Sequence, residues 1–176
     1  QLAEYVNFSN AVEAQHILRT AVRLNNQVIR PIDGVEYVRL PSSAASQAGQ
    51  SLNYLRETFK DATALIVMMY DHLDALIFKP DTAEVFHHAL AAVARIIGFT
   101  SQEPERDFGR GPDVLWSLGG QKFFVIEAKN GAITDTINKH DCNQLSGSMH
   151  WFTDKYGDSF SATPIMVHPA NEPEYA

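Results

Sequence analysis

The run Gly111-Pro112-Asp113-Val114-Leu115-Trp116-Ser117-Leu118-Gly119-Gly120-Gln121-Lys122-Phe123-Phe124-Val125-Ile126-Glu127-Ala128-Lys129 decides how this chain is read. Val114, Leu115, Trp116 and Leu118 make one strand, and Phe123, Phe124, Val125 and Ile126 make the next. Gly119-Gly120 marks the turn between them, since tight hairpin turns need backbone at positive φ. Apolar residues on both faces of the two strands imply a sheet covered on both sides. The charged residues bracket this hairpin, with Asp113 at its entrance and Glu127 and Lys129 at its exit. If the loop is three residues, Gly119 to Gln121, then Leu118 faces Lys122, and counting outward sets Asp113 opposite Glu127. Directly opposed residues share a face, and Lys129, two residues on, shares it too. A strict two-residue loop sets Asp113 opposite Ile126 and sends Glu127 to the other face. Convergence of the three therefore requires an odd loop, a bulge or splayed strands. The bland alternative is a surface hairpin with scattered charges.

If they converge, the chemistry is specific. Two carboxylates can share a hard cation such as Mg²⁺, which takes oxygen ligands and keeps several waters. An ammonium on the same face can approach an attacking water and a scissile phosphate together.

A Pro-Asp, a short apolar hairpin and a Glu-x-Lys, with a helix before and a Gln-bearing helix after, resemble the PD-(D/E)XK nuclease superfamily. The resemblance covers roughly residues 81 to 170. It implies the restriction-endonuclease-like fold, in which a mixed central sheet is flanked by helices. It also implies Mg²⁺ (or Mn²⁺) held by Asp113 and Glu127, with the Ala128 carbonyl completing the shell. In this family the first core helix often carries a glutamate that joins the metal site, and Glu84 is the matching residue. Some members place a glutamine on the helix after the hairpin, where it orients a site carboxylate or contacts phosphate, and Gln144 stands there. One branch shows Gln-x-x-x-Tyr, but this chain has Ser148 at the last position.

The flanking segments are read from pattern. Lys79-Pro80 punctuates the chain. Asp81-Thr82-Ala83-Glu84 reads as a capping box, with Asp81 as N-cap and Glu84 at N3, which is a second and purely structural reading of Glu84. Phe86, Ala89, Leu90, Val93, Ala94 and Ile97 form a buried helical stripe, and Gly98 stops the helix. His87 and His88 point away from that stripe and read as solvated rather than as zinc ligands. Thr100 to Gly111 is a polar stretch, a substrate-contacting loop or a solvated connection. Ile137 to Tyr156 is a helix with a stripe of Leu145, Met149, Phe152 and Tyr156. Arg110, Lys139 and His140 are placed to reach nucleic acid. Ala162 to His168 is a strand next to the hairpin, and Asn171 to Ala176 looks like a helix start cut short. The fold would usually continue, so the C-terminus belongs to a minimal variant or is truncated.

Residues 1 to 79 read as a mainly helical scaffold or interface region, preceding a nuclease-like domain over 80 to 176. Val12, Ile17, Leu18, Ala21, Val22 and Leu24 repeat at helical spacing after a Ser9-Asn10 capping signal. Val28-Ile29 and Val35 to Leu40 look β-like around a turn, and Pro41-Ser42-Ser43 opens a small-residue linker. Gln50 to Phe78 lacks Gly and Pro and carries an apolar stripe, as one long helix or two short ones. His16 and His72 read as ordinary helix residues.

Composition bounds the rest. The chain has 176 residues and one cysteine, Cys142, which excludes an internal disulfide framework and fits a reducing, cytoplasmic setting. Cys142 reads as helix packing rather than as a thiol nucleophile. No apolar run reaches the roughly 18 residues that span a bilayer. No signal peptide is visible, and the absence of an initiating Met fits a piece excised from something longer. Net charge is −7. From Asp81 onward there are seven Lys/Arg against thirteen Asp/Glu, a net of −6. A protein living on phosphate contacts usually shows a basic patch. Either Arg106, Arg110, Lys122, Lys129 and Lys139 cluster locally, or a neighbouring domain or subunit supplies the grip.

The expectation is therefore an α/β, Mg²⁺-dependent endo- or exonuclease acting on phosphodiesters, with DNA favoured over RNA by family association alone. Asp113, Glu127, Lys129 and Gln144 are its catalytic group. A helicase or ATPase partner in a defence or repair assembly, and homo-oligomerisation through the N-terminal helices, fit this reading. The alternatives are a catalytically inactive nuclease-like nucleic-acid-binding module and a helical protein-interaction domain with incidental hairpin charges.

Overall fold

The computed structural model describes residues 11–24, 37–41 and 46–174. Among these the elements run α1 (Ala11–Leu24), α2 (Gln47–Thr58), α3 (Ala62–Ala75), α4 (Ala83–Ile96), β1 (Thr100–Gln102), α5 (Pro104–Phe108), β2 (Val114–Gly119), β3 (Lys122–Ala128), α6 (Lys139–Tyr156) and β4 (Ser161–Val167).

The hairpin organises the rest. Its turn is Gly120-Gln121, at φ 56° and 65°, one residue later than the Gly119-Gly120 read from sequence. Two central residues at positive φ match the right-handed twist of the flanking strands. Gly119 pairs with Lys122, and Ser117 then pairs with Phe123, leaving Leu118 as a bulge. Beyond it Trp116, Leu115 and Val114 pair with Phe124, Val125 and Ile126. One step further out, Asp113 stands opposite Glu127. The odd register thus arises from a two-residue turn plus a bulge, not from a three-residue loop.

The sheet has the order β1-β2-β3-β4. β1, β2 and β3 are antiparallel, and β4 runs parallel to β3, so α6 is the crossover that parallel pairing needs. Both faces are covered, as the strand composition required. Leu115, Phe123 and Val125 pack against Phe152 and Tyr156 of α6. Val114 and Ile126 pack on the opposite face against Ala91 of α4. Among the described residues the fold is α/β, with a mixed, open, four-stranded sheet between helices.

α2 and α3 lie behind α4. Ser51 Oγ donates to the Ile96 carbonyl at 2.6 Å and Gln47 Nε2 to the Ile97 carbonyl at 2.9 Å. Gly98, at φ 88°, ends α4 and lets this approach happen, since a Cβ there would lie 1.9 Å from the Gln47 carbonyl oxygen. The Gln50–Phe78 stretch resolves into two helices because Asp61 restarts the chain, its carboxylate accepting from the Ala64 amide at 2.9 Å. The inner face of α3 meets α4 while Ile66, Val67, Tyr70 and Leu73 remain exposed. No described helix is long and apolar enough to cross a membrane.

Several expectations are corrected. Asp81 is not an N-cap. It sits at φ 61°, and Thr82 occupies the cap position without a side-chain cap bond. The Thr82 hydroxyl instead donates to the Lys79 carbonyl and accepts from Asn130, so a tertiary contact has displaced the local capping box. Tyr37 to Leu40 is not a strand. Asn171 to Glu174 does not begin a helix, because Pro173 bridges to Ile137. Cys142 is exposed rather than packed. The Ser9-Asn10 signal, Val28-Ile29 and residues 42–45 lie outside the described residues.

Candidate active site

Asp113 and Glu127 leave the sheet at the same end, Asp113 beside α4 and Glu127 beside α6. Both are about 5% exposed. The Ala128 amide donates to Asp113 Oδ2 at 2.8 Å, which fixes one carboxylate oxygen across the hairpin. Ser148 of α6 donates to Glu127 Oε1 at 2.5 Å. Lys129 Nζ lies 3.4 Å from Glu127 Oε2, so the ammonium stands beside the second oxygen. Each position follows from strand alternation, since residues 127 and 129 share a face.

The electrostatics are unbalanced. Burial, then the Glu127 charge, pushes the Asp113 carboxyl from 3.8 up to about 8. The Ala128 amide and Lys129 oppose this, while a hydrogen bond with Glu105 adds to it. Two crowded carboxyl groups beside one ammonium leave room for a further positive charge, a proton or a cation.

Two cavities flank the pair. One, of about 200 Å³, is lined by Glu84, His87, Glu105 and Asp113 among others. The other, of about 180 Å³, is lined by Glu105, Glu127, Gln144, Ser148 and Trp151 with Gly111 and Gly147. Glu84 therefore stands on the Asp113 side and Gln144 on the Glu127 side, and Glu105 borders both. Arg110, Lys139 and His140 are exposed and line neither cavity.

The sequence reading missed three neighbours. His87 does not point away to solvent. It is 18% exposed, with Nε2 3.7 Å from Asp113 Oδ2. Burial lowers its pKa, against a hydrogen bond to the Ala128 backbone and the charges of Glu103 and Glu105. Its spacing was a usable signal, because His87 lies three residues after Glu84 on one helix face. Ser148 likewise lies four residues after Gln144, on the flank already singled out. Glu105 carried no such signal, since it belongs to the short helix α5 inside the stretch read as polar connection.

The turn that presents Asp113 is tightly framed. Gly111 adopts φ 111°, and a Cβ there would lie 2.9 Å from both Pro104 and the Trp151 ring. The Glu105 amide donates to the Pro112 carbonyl at 3.2 Å, tying α5 to the same turn.

The donor set fits a hard cation. Asp113 and Glu127 bring oxygen ligands, and His87 brings a nitrogen close to Asp113. Among the described residues, no three His, Cys, Asp or Glu side chains are already arranged as a cation cage. A cation there would be met by few protein donors and by water, which suits Mg²⁺ better than a structural zinc.

No family model matches the chain, and no curated protein or solved structure matches it.

Proposed function

We propose that this chain is a divalent-cation-dependent phosphodiesterase of nucleic acid, with a restriction-endonuclease-like arrangement and DNA as the favoured substrate. The observation that carries the reading is the buried pair Asp113 and Glu127, opposed across a hairpin with Lys129 Nζ 3.4 Å from Glu127.

Asp113 and Glu127 would hold the cation, with His87 and the Ala128 carbonyl beside them. When bound, Mg²⁺ or Mn²⁺ supplies a water of lowered pKa and neutralises phosphate charge. The Ala128 amide keeps Asp113 aimed at the site, and Ser148 keeps Glu127 oriented. Lys129 positions the attacking water or stabilises the charge that develops on phosphate. Gln144 faces the Glu127 side of the cleft, where an amide can contact phosphate. Glu84 is a further oxygen donor on the Asp113 side.

Substrate grip comes in part from elsewhere. Glu103 takes up Arg106 through both carboxylate oxygens, at 2.9 and 3.0 Å. Lys122 lies at the turn end of β3, seven residues from Lys129, roughly 20 Å along an extended strand. Two of the five candidate basic residues, Arg106 and Lys122, are therefore not free to join a patch beside Lys129. A helicase, an ATPase or a second subunit would complete the binding surface, and the exposed face of α3 supports the expectation of an N-terminal interface.

The test is cleavage of labelled DNA and RNA with Mg²⁺ and Mn²⁺, comparing wild type with Lys129→Ala. Cation-dependent cutting lost in the variant is the expected result. Binding without cutting, with partners present, favours the inactive binding module. Neither binding nor cutting favours the helical interaction domain.

A further inference from the structure

Tyr37 lies more than 70 residues before Asp113 in sequence, in the segment Tyr37–Pro41, yet its ring is built into the frame of the candidate site. It meets Trp151 edge-on at 4.7 Å between centroids and Phe108 of α5 at 5.0 Å. Its hydroxyl donates to Gln102 Oε1 at 2.9 Å and pairs with the Tyr156 hydroxyl at 2.7 Å. The Leu40 amide donates to that same Tyr156 oxygen at 3.0 Å, and Gln102 Nε2 donates to the Val38 carbonyl at 3.0 Å. A short segment without secondary structure is thus tied to β1, α5 and α6 at once.

The far side of Trp151 matters as much. Its ring packs against Gly111 so closely that no Cβ fits between them. Pro104 closes Gly111 from α5, and both Pro104 and Pro112 are fully buried. A continuous line of contact runs from Tyr37 through Trp151 to Gly111, and from there through Pro112 to Asp113. Edge-to-face aromatic pairs fix geometry as well as bury area, so the line transmits position.

We propose that Tyr37 is a positioning residue for the carboxylate site, acting through Trp151 on the Gly111–Asp113 turn, so that the N-terminal region belongs to the same working unit as the hairpin. The site's catalytic use rests on the nuclease reading above, but the positioning itself does not. Tyr37 touches neither carboxylate. Its contribution is to keep Asp113 where the Ala128 amide and a cation can meet it.

Amide hydrogen exchange on the cation-free chain reads this directly, because the Ala128 amide bonds to Asp113 while the next amide, Lys129, bonds to the Val167 carbonyl. Tyr37→Leu should accelerate exchange at Ala128 about tenfold, the scale of losing one aromatic pair, and at Lys129 by less than about twofold. Tyr37→Phe, which keeps the ring contacts, should restore Ala128 protection. Equal acceleration at both amides, or none at either, overturns the proposal. If Tyr37→Leu does not fold, Tyr37→Met is read by the same two criteria. A cleavage arm adds a second readout. Tyr37→Leu should raise the half-saturating Mn²⁺ concentration about tenfold while holding kcat at saturation within about twofold. A loss of kcat at unchanged half-saturation overturns the proposal. If wild type cuts nothing while the exchange pattern holds, the nuclease reading falls and the positioning role stands.

Discussion

Asp113 responds strongly to its surroundings. Burial and Glu127 lift its carboxyl from 3.8 to about 8. A carboxyl raised on folding stabilises the fold fully below pH about 4, and that contribution is lost as pH rises through about 8. The cation-free chain should therefore lose thermal stability across that window, and Asp113→Asn should lose less of it. Scanning calorimetry from pH 4 to 8 checks this, and parallel curves for the two proteins would show that Asp113 is not the group responsible. Excess Mg²⁺ should oppose the loss, since a cation bound only by the folded state stabilises it. The neighbouring residues are tested by activity. Glu127→Ala and Lys129→Ala should each lower cleavage by at least about a hundredfold, the usual scale for removing one charge-stabilising group. The double variant should fall little further, because both act on one transition state. Lys129→Arg should not restore full rates, because a planar fork does not replace a compact ammonium. Asp113, Glu127 and Lys129 were legible as residue types at a spacing. His87 was read as solvated, although its spacing three residues after Glu84 already set it on the same helix face, and the fold turns it toward Asp113.

At the scale of elements, α6 does two jobs. Its apolar stripe of Phe152 and Tyr156 covers the sheet, and one turn earlier Ser148 caps the Glu127 carboxylate. Ser148→Ala would leave a buried carboxylate short of a charge-assisted donor, at a cost of about 1–3 kcal/mol. Urea denaturation should show this loss, and unchanged stability would mean that water replaces the hydroxyl. Both the stripe of α6 and the Gly98 stop of α4 could be read from the chain, because local periodicity and positive φ leave marks in sequence. The Asp81 capping box could not be trusted in the same way. Asn130, 48 residues after Thr82, reaches back to it and overrides the local pattern. The helix α5 left no periodic mark, since five residues are too few to show one.

The whole molecule is acidic, with a net charge of −7. With Arg106 and Lys129 engaged by glutamates, a bound duplex would meet few free cations. Binding by the isolated chain should be weak, with a log–log salt slope shallower than about −3. Fluorescence anisotropy across a salt series measures this. A slope of about −6 or steeper would require an extended basic surface and would overturn this expectation. The strands and helices could be read from pattern, while the mixed sheet was expected from the resemblance and matches the observed pairing. How Tyr37 joins the site did not, because contacts between segments this far apart leave no periodicity to read.

The bulge at Leu118 also sets where this gene can change length. Ser117 pairs with Phe123 and Gly119 with Lys122, so Leu118 is surplus to the ladder. Deleting it should give a regular two-residue hairpin and still leave Asp113 across from Glu127. Deleting both Leu118 and Trp116 would instead shift the outer strand by one position, set Asp113 opposite Ile126 and turn the two carboxylates to opposite faces. The one-codon and two-codon deletions, compared for cation-dependent cleavage, should therefore give one active and one silent protein. Equal activity in the two would mean that strand parity does not govern the site.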